Sequence, residues 1–188
     1  MTAHVLGLDL ALANSGAAAI TTDGHVTTWV KTTDALPADA AILDVDARIS
    51  DVARWAVGLC TTGTKLVAIE GPSHGSQHGQ PHERAGLWWR VIRGLIAREL
   101  PVAVLSPSTV KGYIAGKGNA DKALVQYAVD AAWPGRGLKR KTSHECDAVA
   151  LATAGVDWCG WPGPFLEGRR GAAWLLKGQW PERESVSA

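Results

Sequence analysis

Four residues of this 188-residue chain stand where their charge is poorly placed for ordinary solvation. Asp9 falls near the end of "HVLGLDL" and Glu70 closes "LVAIE", each terminating an otherwise apolar run. In α/β sheets, groups at the carboxyl ends of strands converge on the ligand crevice, so the two carboxylates meet if their strands are neighbours. Close carboxylates raise each other's pKa unless a cation neutralises them, and an all-oxygen set suits Mg²⁺ or Mn²⁺. His144 and Asp147 stand three apart at the start of "HECDAVALATAG" and on a helix would project from one face. The small apolar residues after Asp147 predict that this face packs toward the sheet. A bland alternative remains, in which Ser143 or Asp147 merely caps the helix. Capping explains one acid but not its coincidence with two strand-end acids.

The elements that must hold these residues follow from periodicity. "HVLGLDL" reads as a buried strand, followed by a turn at 11–15 and two strands, "GAAAITT" and "HVTTWVKT", joined at Asp23-Gly24. Residues 43–60 repeat apolar positions at helical spacing. "KLVAIEG" is a fourth strand, residues 82–99 a second helix, and "PVAVLS" a fifth strand. A meander of three strands followed by strand–helix–strand alternation predicts an α/β sheet flanked by helices. From Pro107 the pattern is helical, through "PSTVKGYIAG", "DKALVQYAVDAAW" and "HECDAVALATAGV".

Composition limits what such a scaffold can be. An apolar fraction of 46%, nine Trp and 21 Gly describe a globular chain and not a disordered one. Cys60, Cys146 and Cys159 are odd in number and form no CxxC pair, which argues against a disulfide framework or a cysteine zinc site. No apolar run reaches membrane-spanning length, and no secretory signal layout opens the chain, so a cytoplasmic address and no membrane partner are expected. The net charge of +1 hides an asymmetry: residues 1–80 hold four Lys/Arg against eight Asp/Glu, and residues 81–147 hold eleven against six. That basic half suits a polyanion, although solvated helix faces give the same count.

Four stretches in order, "GLDLALANSG", "VAIEG", "SPSTVKGYIAGKGNADKALVQ" and "HECDAVALA", resemble the RuvC-type Holliday-junction resolvases, DNA endonucleases of the RNase H-like superfamily. The similarity covers about residues 4–155, and the Lys-rich third stretch is its most specific part. It implies an RNase H-like fold with a five-stranded mixed sheet flanked by helices, a nuclease domain over 1–158 and a C-terminal extension over 159–188. It further implies a homodimer acting on branched DNA in the nucleoid of a bacterial or phage-infected cell. Under the resemblance, Asp9, Glu70, His144 and Asp147 form the metal-binding catalytic set, holding two Mg²⁺ ions for which Mn²⁺ can substitute. Lys122 would neutralise charge on the reacting phosphate. Lys111, Lys117, Arg84, His74 and His78 would join it in contacting DNA, with no nucleotide cofactor.

The chain departs from the family at two places. Leu10 and Ala11 stand where the family usually has Pro-Gly after the first aspartate. Between Gly71 and His82 the loop offers Gly, Pro, Ser, Gln and His, where the resolvases tend to carry an aromatic or bulky apolar wedge, so weaker selectivity for the four-way junction is expected. His74, His78 and His82 recur every fourth residue as zinc ligands on a helix might, but Pro72, Gly75, Gly79 and Pro81 oppose a helix there. Trp88 and Trp89 are expected in the core or at a dimer surface, and the sequence assigns no role to Trp161, Trp174 and Trp180. Two rival readings are a sugar-kinase or actin-like ATPase, which calls for a second glycine-rich phosphate motif and a longer chain, and a catalytically dead junction binder, which would lack one of the acids.

Overall fold

The computed structural model describes residues 2–72, 80–138, 141–164 and 171–186. Three strands form the expected meander: β1 (His4–Asp9), β2 (Asn14–Thr21) and β3 (Val26–Thr32), each antiparallel to the one before. Helix α1 (Ile42–Gly58) then crosses to β4 (Thr64–Glu70), parallel to β1, and α2 (Pro81–Ile96) crosses to β5 (Val102–Leu105), parallel to β4. The sheet order is β3-β2-β1-β4-β5. Helices α3 (Pro107–Ala115), α4 (Lys122–Ala132), α5 (Ser143–Trp158) and the short α6 (Ala172–Leu175) complete the chain, with a 3₁₀ turn at Arg183–Ser185. No described helix is long and apolar enough to cross a membrane.

Strands β1 and β4 read as nearly unbroken apolar runs because both faces of the sheet are covered. Leu6, Leu8, Val67 and Ile69 face α1 and α2, where Val52, Ala56, Leu87, Val91 and Leu95 meet them. Val5, Leu66 and Ala68 face the other way, into a cluster with α3, α4 and α5. The pleat alternates with period two, so Asp9 shares the face of Val5, and Glu70 shares the face of Leu66 and Ala68. Both strand-end acids therefore point to the side on which α5 lies.

Helix α5 is buried from Ala148 to Val156 on every side, between the sheet and the α3–α4 pair. It reaches the sheet because side chains are missing at the contact. A Cβ on Gly7 would overlap the carbonyl oxygen of Ala148 and stand 2.7 Å from the nitrogen of Ala152, both backbone atoms of α5. A Cβ on Gly16, the residue opposite Asp9 in the ladder, would overlap the carbonyl of His144 and stand 2.9 Å from the nitrogen of Glu145. At the far end, a Cβ on Gly155 would lie 2.5 Å from Val5. Helix α5 thus runs antiparallel to β1, its first turn over Asp9.

Backbone atoms cannot swing aside as a flexible side chain can, so filling this seam is costly. Gly7→Ala and Gly16→Ala should each lower the unfolding free energy in urea by about 1–3 kcal/mol or more. Gly58→Ala, at the end of α1 with no atom within 4 Å of the new Cβ, should be neutral or slightly stabilising. Equal effects at the three positions would refute the close-approach account.

Candidate active site

Strand β1 delivers Asp9, and a short turn returns the chain to β2. The buried Ser15 pins that turn: its Oγ donates to the Ala11 carbonyl at 2.7 Å and accepts from the Ala11 N–H at 3.0 Å. This clasp does the work of a special turn sequence where Leu10 and Ala11 stand.

Helix α5 begins at a capping box that the pattern T-x-x-E spells out. The Thr142 hydroxyl accepts from the Glu145 N–H at 3.3 Å, and the Glu145 carboxylate accepts from the Thr142 N–H at 2.9 Å. Glu145 is further tied to Thr28 of β3 at 2.7 Å and paired with Lys141 at 3.1 Å. Burial works against its charge, but the Thr142, Thr28 and Lys141 contacts together hold its carboxyl below the usual range. The cap is Thr142, not Ser143 or Asp147, so Asp147 is not spent on the helix end. It projects instead from the turn that lies over Asp9.

Of the four predicted ligands, one pair is in contact and the others act on it electrostatically. His144 Nδ1 lies 2.9 Å from Asp9 Oδ2, an approach made between side chains that are 31% and 13% exposed. This hydrogen bond is the main cause of a raised His144 pKa, against burial and the Lys122 charge, which lower it. Glu70 is pushed up to about 8, first by burial and then by the charges of Asp9 and Asp147, with Lys111 opposing. Asp147 rises to about 6 through burial and Asp9, opposed by His144, Lys111 and Lys122. Each acid thus acts on its neighbours, and two lysines from different helices act on the acids. Among the described residues no group of three or more His, Cys, Asp or Glu side chains stands close enough together to hold a metal ion.

The remaining predicted residues fall into three groups. Lys111 sits half-buried on α3, and Lys122 opens α4 directly after its cap, Asp121, whose carboxylate accepts from Leu124 N–H at 2.8 Å. Arg84 lines a cleft of about 180 Å³ beside Glu70, together with Leu10, Gly71, Pro72, Pro81, Ala85 and Trp88. Lys117 is exposed in the α3–α4 connection and is not among the charges that shift Glu70, His144 or Asp147. His74 and His78 lie outside the described residues, and His82 is exposed in the first turn of α2.

The tryptophan pair divides: Trp88 is half-buried and donates through Nε1 to the Glu70 carbonyl at 2.9 Å, and Trp89 is 59% exposed. Sequence reasoning missed Trp88 as a support of the acid cluster, and missed Gly7 and Gly16. A glycine inside a strand is a signal for close backbone approach, and two of them flank Asp9.

The raised acids make stability depend on pH. Glu70 titrates near 4.5 when unfolded and at about 8 when folded, so the folded chain keeps a proton that the unfolded chain has lost. Its contribution is complete below the lower value and is lost as pH rises through the upper one. In chelator-treated protein, Glu70→Gln should therefore gain melting temperature over the parent progressively from pH 5 to pH 9. A difference that stays constant over that range in calorimetry would contradict the burial of Glu70 among like charges.

No protein-family model matches the chain. Over 76 residues it is 38% identical to the crossover junction endodeoxyribonuclease RuvC of Frankia alni, an alignment covering 40% of this chain and 36% of the relative, so the chain matches about a third of that relative's length. Two solved structures resemble it along most of both chains. RuvC of Thermus thermophilus aligns with TM-score 0.61 and 21% identity, covering 85% of this chain and 98% of the other. The T. thermophilus RuvC in complex with Holliday junction substrate aligns with TM-score 0.65 and 19% identity, covering 84% and 96%. The strand order and the flanking helices agree with these neighbours: the chain has the fold of the RuvC structures, a five-stranded mixed sheet flanked by helices, and shares a segment of sequence with one RuvC.

Proposed function

We propose that the chain is a metal-dependent endonuclease that cuts phosphodiester bonds in branched DNA, in recombination, repair or related processing. One observation carries this reading: three carboxylates, an imidazole and two lysines meet over the carboxyl ends of β1 and β4. The RuvC resemblance supports it, and one of the structural relatives is described with a Holliday junction substrate.

The donor set fits a hard divalent cation. Asp9, Glu70 and Asp147 supply oxygen, and the two acids shifted upward carry charge that burial penalises and a cation would cancel. Asp9, Glu70, His144 and Asp147 would hold Mg²⁺, or Mn²⁺ in its place, two ions to a site. Bound there, such ions supply an activated water and neutralise the leaving oxygen of an in-line displacement. His144, through Nδ1, orients the Asp9 carboxylate. Lys122, exposed at the start of α4, reaches charge that grows on the phosphate during cleavage. Lys111 and Arg84 hold the backbone on either side of the acids, and Lys117, His74 and His78 extend that contact, positioning DNA without reading its sequence.

Two copies are needed to cut two strands of a junction in concert, and α2 offers a surface for pairing. Trp89 and Ile96, one heptad apart, remain 59% and 63% exposed on it. Sedimentation equilibrium should return twice the chain mass of 19.8 kDa at micromolar concentration. A strictly monomeric mass, with and without DNA, would remove the dimer.

Cleavage assays with Mg²⁺ on four-way, three-way, fork, flap and linear DNA test the reaction itself. Asp9→Asn, Glu70→Gln and Asp147→Asn keep shape but lose charge, and each should lower turnover by roughly a hundredfold or more, the cost already seen for groups one step removed from a metal. Junction binding should survive in all three. The stretch between Gly71 and His82, most of it outside the described residues, has no aromatic to serve as a wedge, which should cost about ten- to a hundredfold in discrimination, the worth of one stacked base, so three-way junctions and forks should be cut beside four-way junctions. Near-parental turnover in an amide variant removes that residue from the site, and a stricter four-way preference at fixed salt overturns the substrate range.

A further inference from the structure

The segment after α5 is fastened to the sheet and to α3. Val104 and Gln179 exchange backbone hydrogen bonds at 2.8 and 2.9 Å, Trp180 stacks on Trp158 with ring centroids 4.8 Å apart, and Gly171 lies against the ring of Tyr113. Between these anchors, Trp174 is laid over Gly112 so closely that a Cβ there would fall inside the indole. The same indole reaches Gly118, where a Cβ would stand 3.0 Å from Cη2 and 3.3 Å from Cζ3. Lys177 closes over the ring, its Nζ 3.8 Å from the centroid.

These two glycines bracket the corner between α3 and α4. Gly112 follows Lys111, and Gly118 precedes the Asp121 cap and Lys122. Helix α3 ends at Gly116 in the left-handed conformation, with φ 77°, so the corner contains two residues whose backbone is unusually permissive. A lysine places its ammonium only as well as its backbone is placed, because the stem itself carries about 2 kcal/mol of rotamer entropy. One indole therefore touches α3 and the connection that leads into α4, the corner that carries the two lysines acting on the acid cluster.

We propose that Trp174 is a positioning residue for the cleavage reaction: wedged between Gly112 and Gly118, it fixes the α3–α4 corner and so sets Lys111 and Lys122 against Asp147 and its partners. This rests on the nuclease reading above, and its test has one arm that needs no cleavage. In metal-free protein, competitive amine labelling read by mass spectrometry should show Lys111 and Lys122 changing reactivity by about threefold or more in Trp174→Ala, with Lys65 of β4 unchanged, because only the local unit has loosened. Trp174→Phe, which keeps a flat ring in the wedge, should stay close to the parent. Gly112→Ala, which expels the indole from the opposite side, should reproduce Trp174→Ala and carries the test if that variant does not fold.

In the cleavage arm, Trp174→Ala should lower kcat by about tenfold or more, the scale expected when catalytic groups are misplaced by a fraction of an ångström to an ångström, with little change in KM. In a background carrying both Lys111→Ala and Lys122→Ala the same substitution should add less than about twofold, since it acts through those lysines. Unchanged labelling, labelling that moves in step at Lys65, or full additivity of Trp174→Ala with the lysine pair each overturn the proposal. If the parent cuts no branched DNA but the labelling shifts at Lys111 and Lys122 alone, positioning stands and the nuclease reading fails.

Discussion

The structure depends on one contact made between backbones. Helix α5 lies against β1 and β2 with nothing between them at Gly7 and Gly16, where its backbone at Ala148 and Ala152 meets the first and its backbone at His144 and Glu145 the second. The closeness is what lets the first turn of a helix set an imidazole 2.9 Å from a carboxylate at the end of a strand. Any side chain in the seam would lift α5 as a rigid unit, since its helical hydrogen bonds leave no local way to yield. The separation of His144 and Asp147 from Asp9 and Glu70 is thus governed by atoms that are absent. Ser15 and the Thr142–Glu145 box then act at the same end of this contact, one holding the strand turn and the other the helix start.

The acid cluster is a place where the fold works against itself. Three carboxylates are drawn toward low dielectric and toward one another, and among the described residues Lys111, Lys122 and His144 act against their charge. Such an arrangement is destabilising unless something else binds, which is the usual signature of a site shaped for a ligand rather than for stability. The compensation lies on the opposite face, where α1 and α2 cover Leu6, Leu8, Val67 and Ile69 with ordinary aliphatic packing.

Much of this was legible in the residues themselves. An acid closing an apolar run marks a strand end, and period-two parity then assigns Asp9 and Glu70 to the face that holds α5. The meander, the two crossovers and the three later helices follow from hydrophobic spacing. The cap at Thr142 was written in T-x-x-E, a pattern easily passed over beside Ser143 and Asp147. What stayed hidden depends on partners distant in sequence. Trp88 supports the Glu70 backbone from another element, and Trp174 meets glycines, which have no side chain to advertise the contact. Nine tryptophans in one chain predict packing of some kind but not against what.

The bridge between Val104 and Gln179 has a meaning for the sheet as a whole. Strand β5 is four residues long and last in the sheet order, and its outer hydrogen-bonding groups would otherwise offer a template to any extended chain. The returning tail takes up both groups of Val104, and β3 is the opposite margin of the sheet. There Lys31 projects from the strand and is held by Asp51 of α1 at 2.6 Å, placing a charge pair along the rim. One margin is interrupted at Val104 by the chain's own backbone and the other carries a charge pair, and both features work against edge-to-edge pairing with a neighbour.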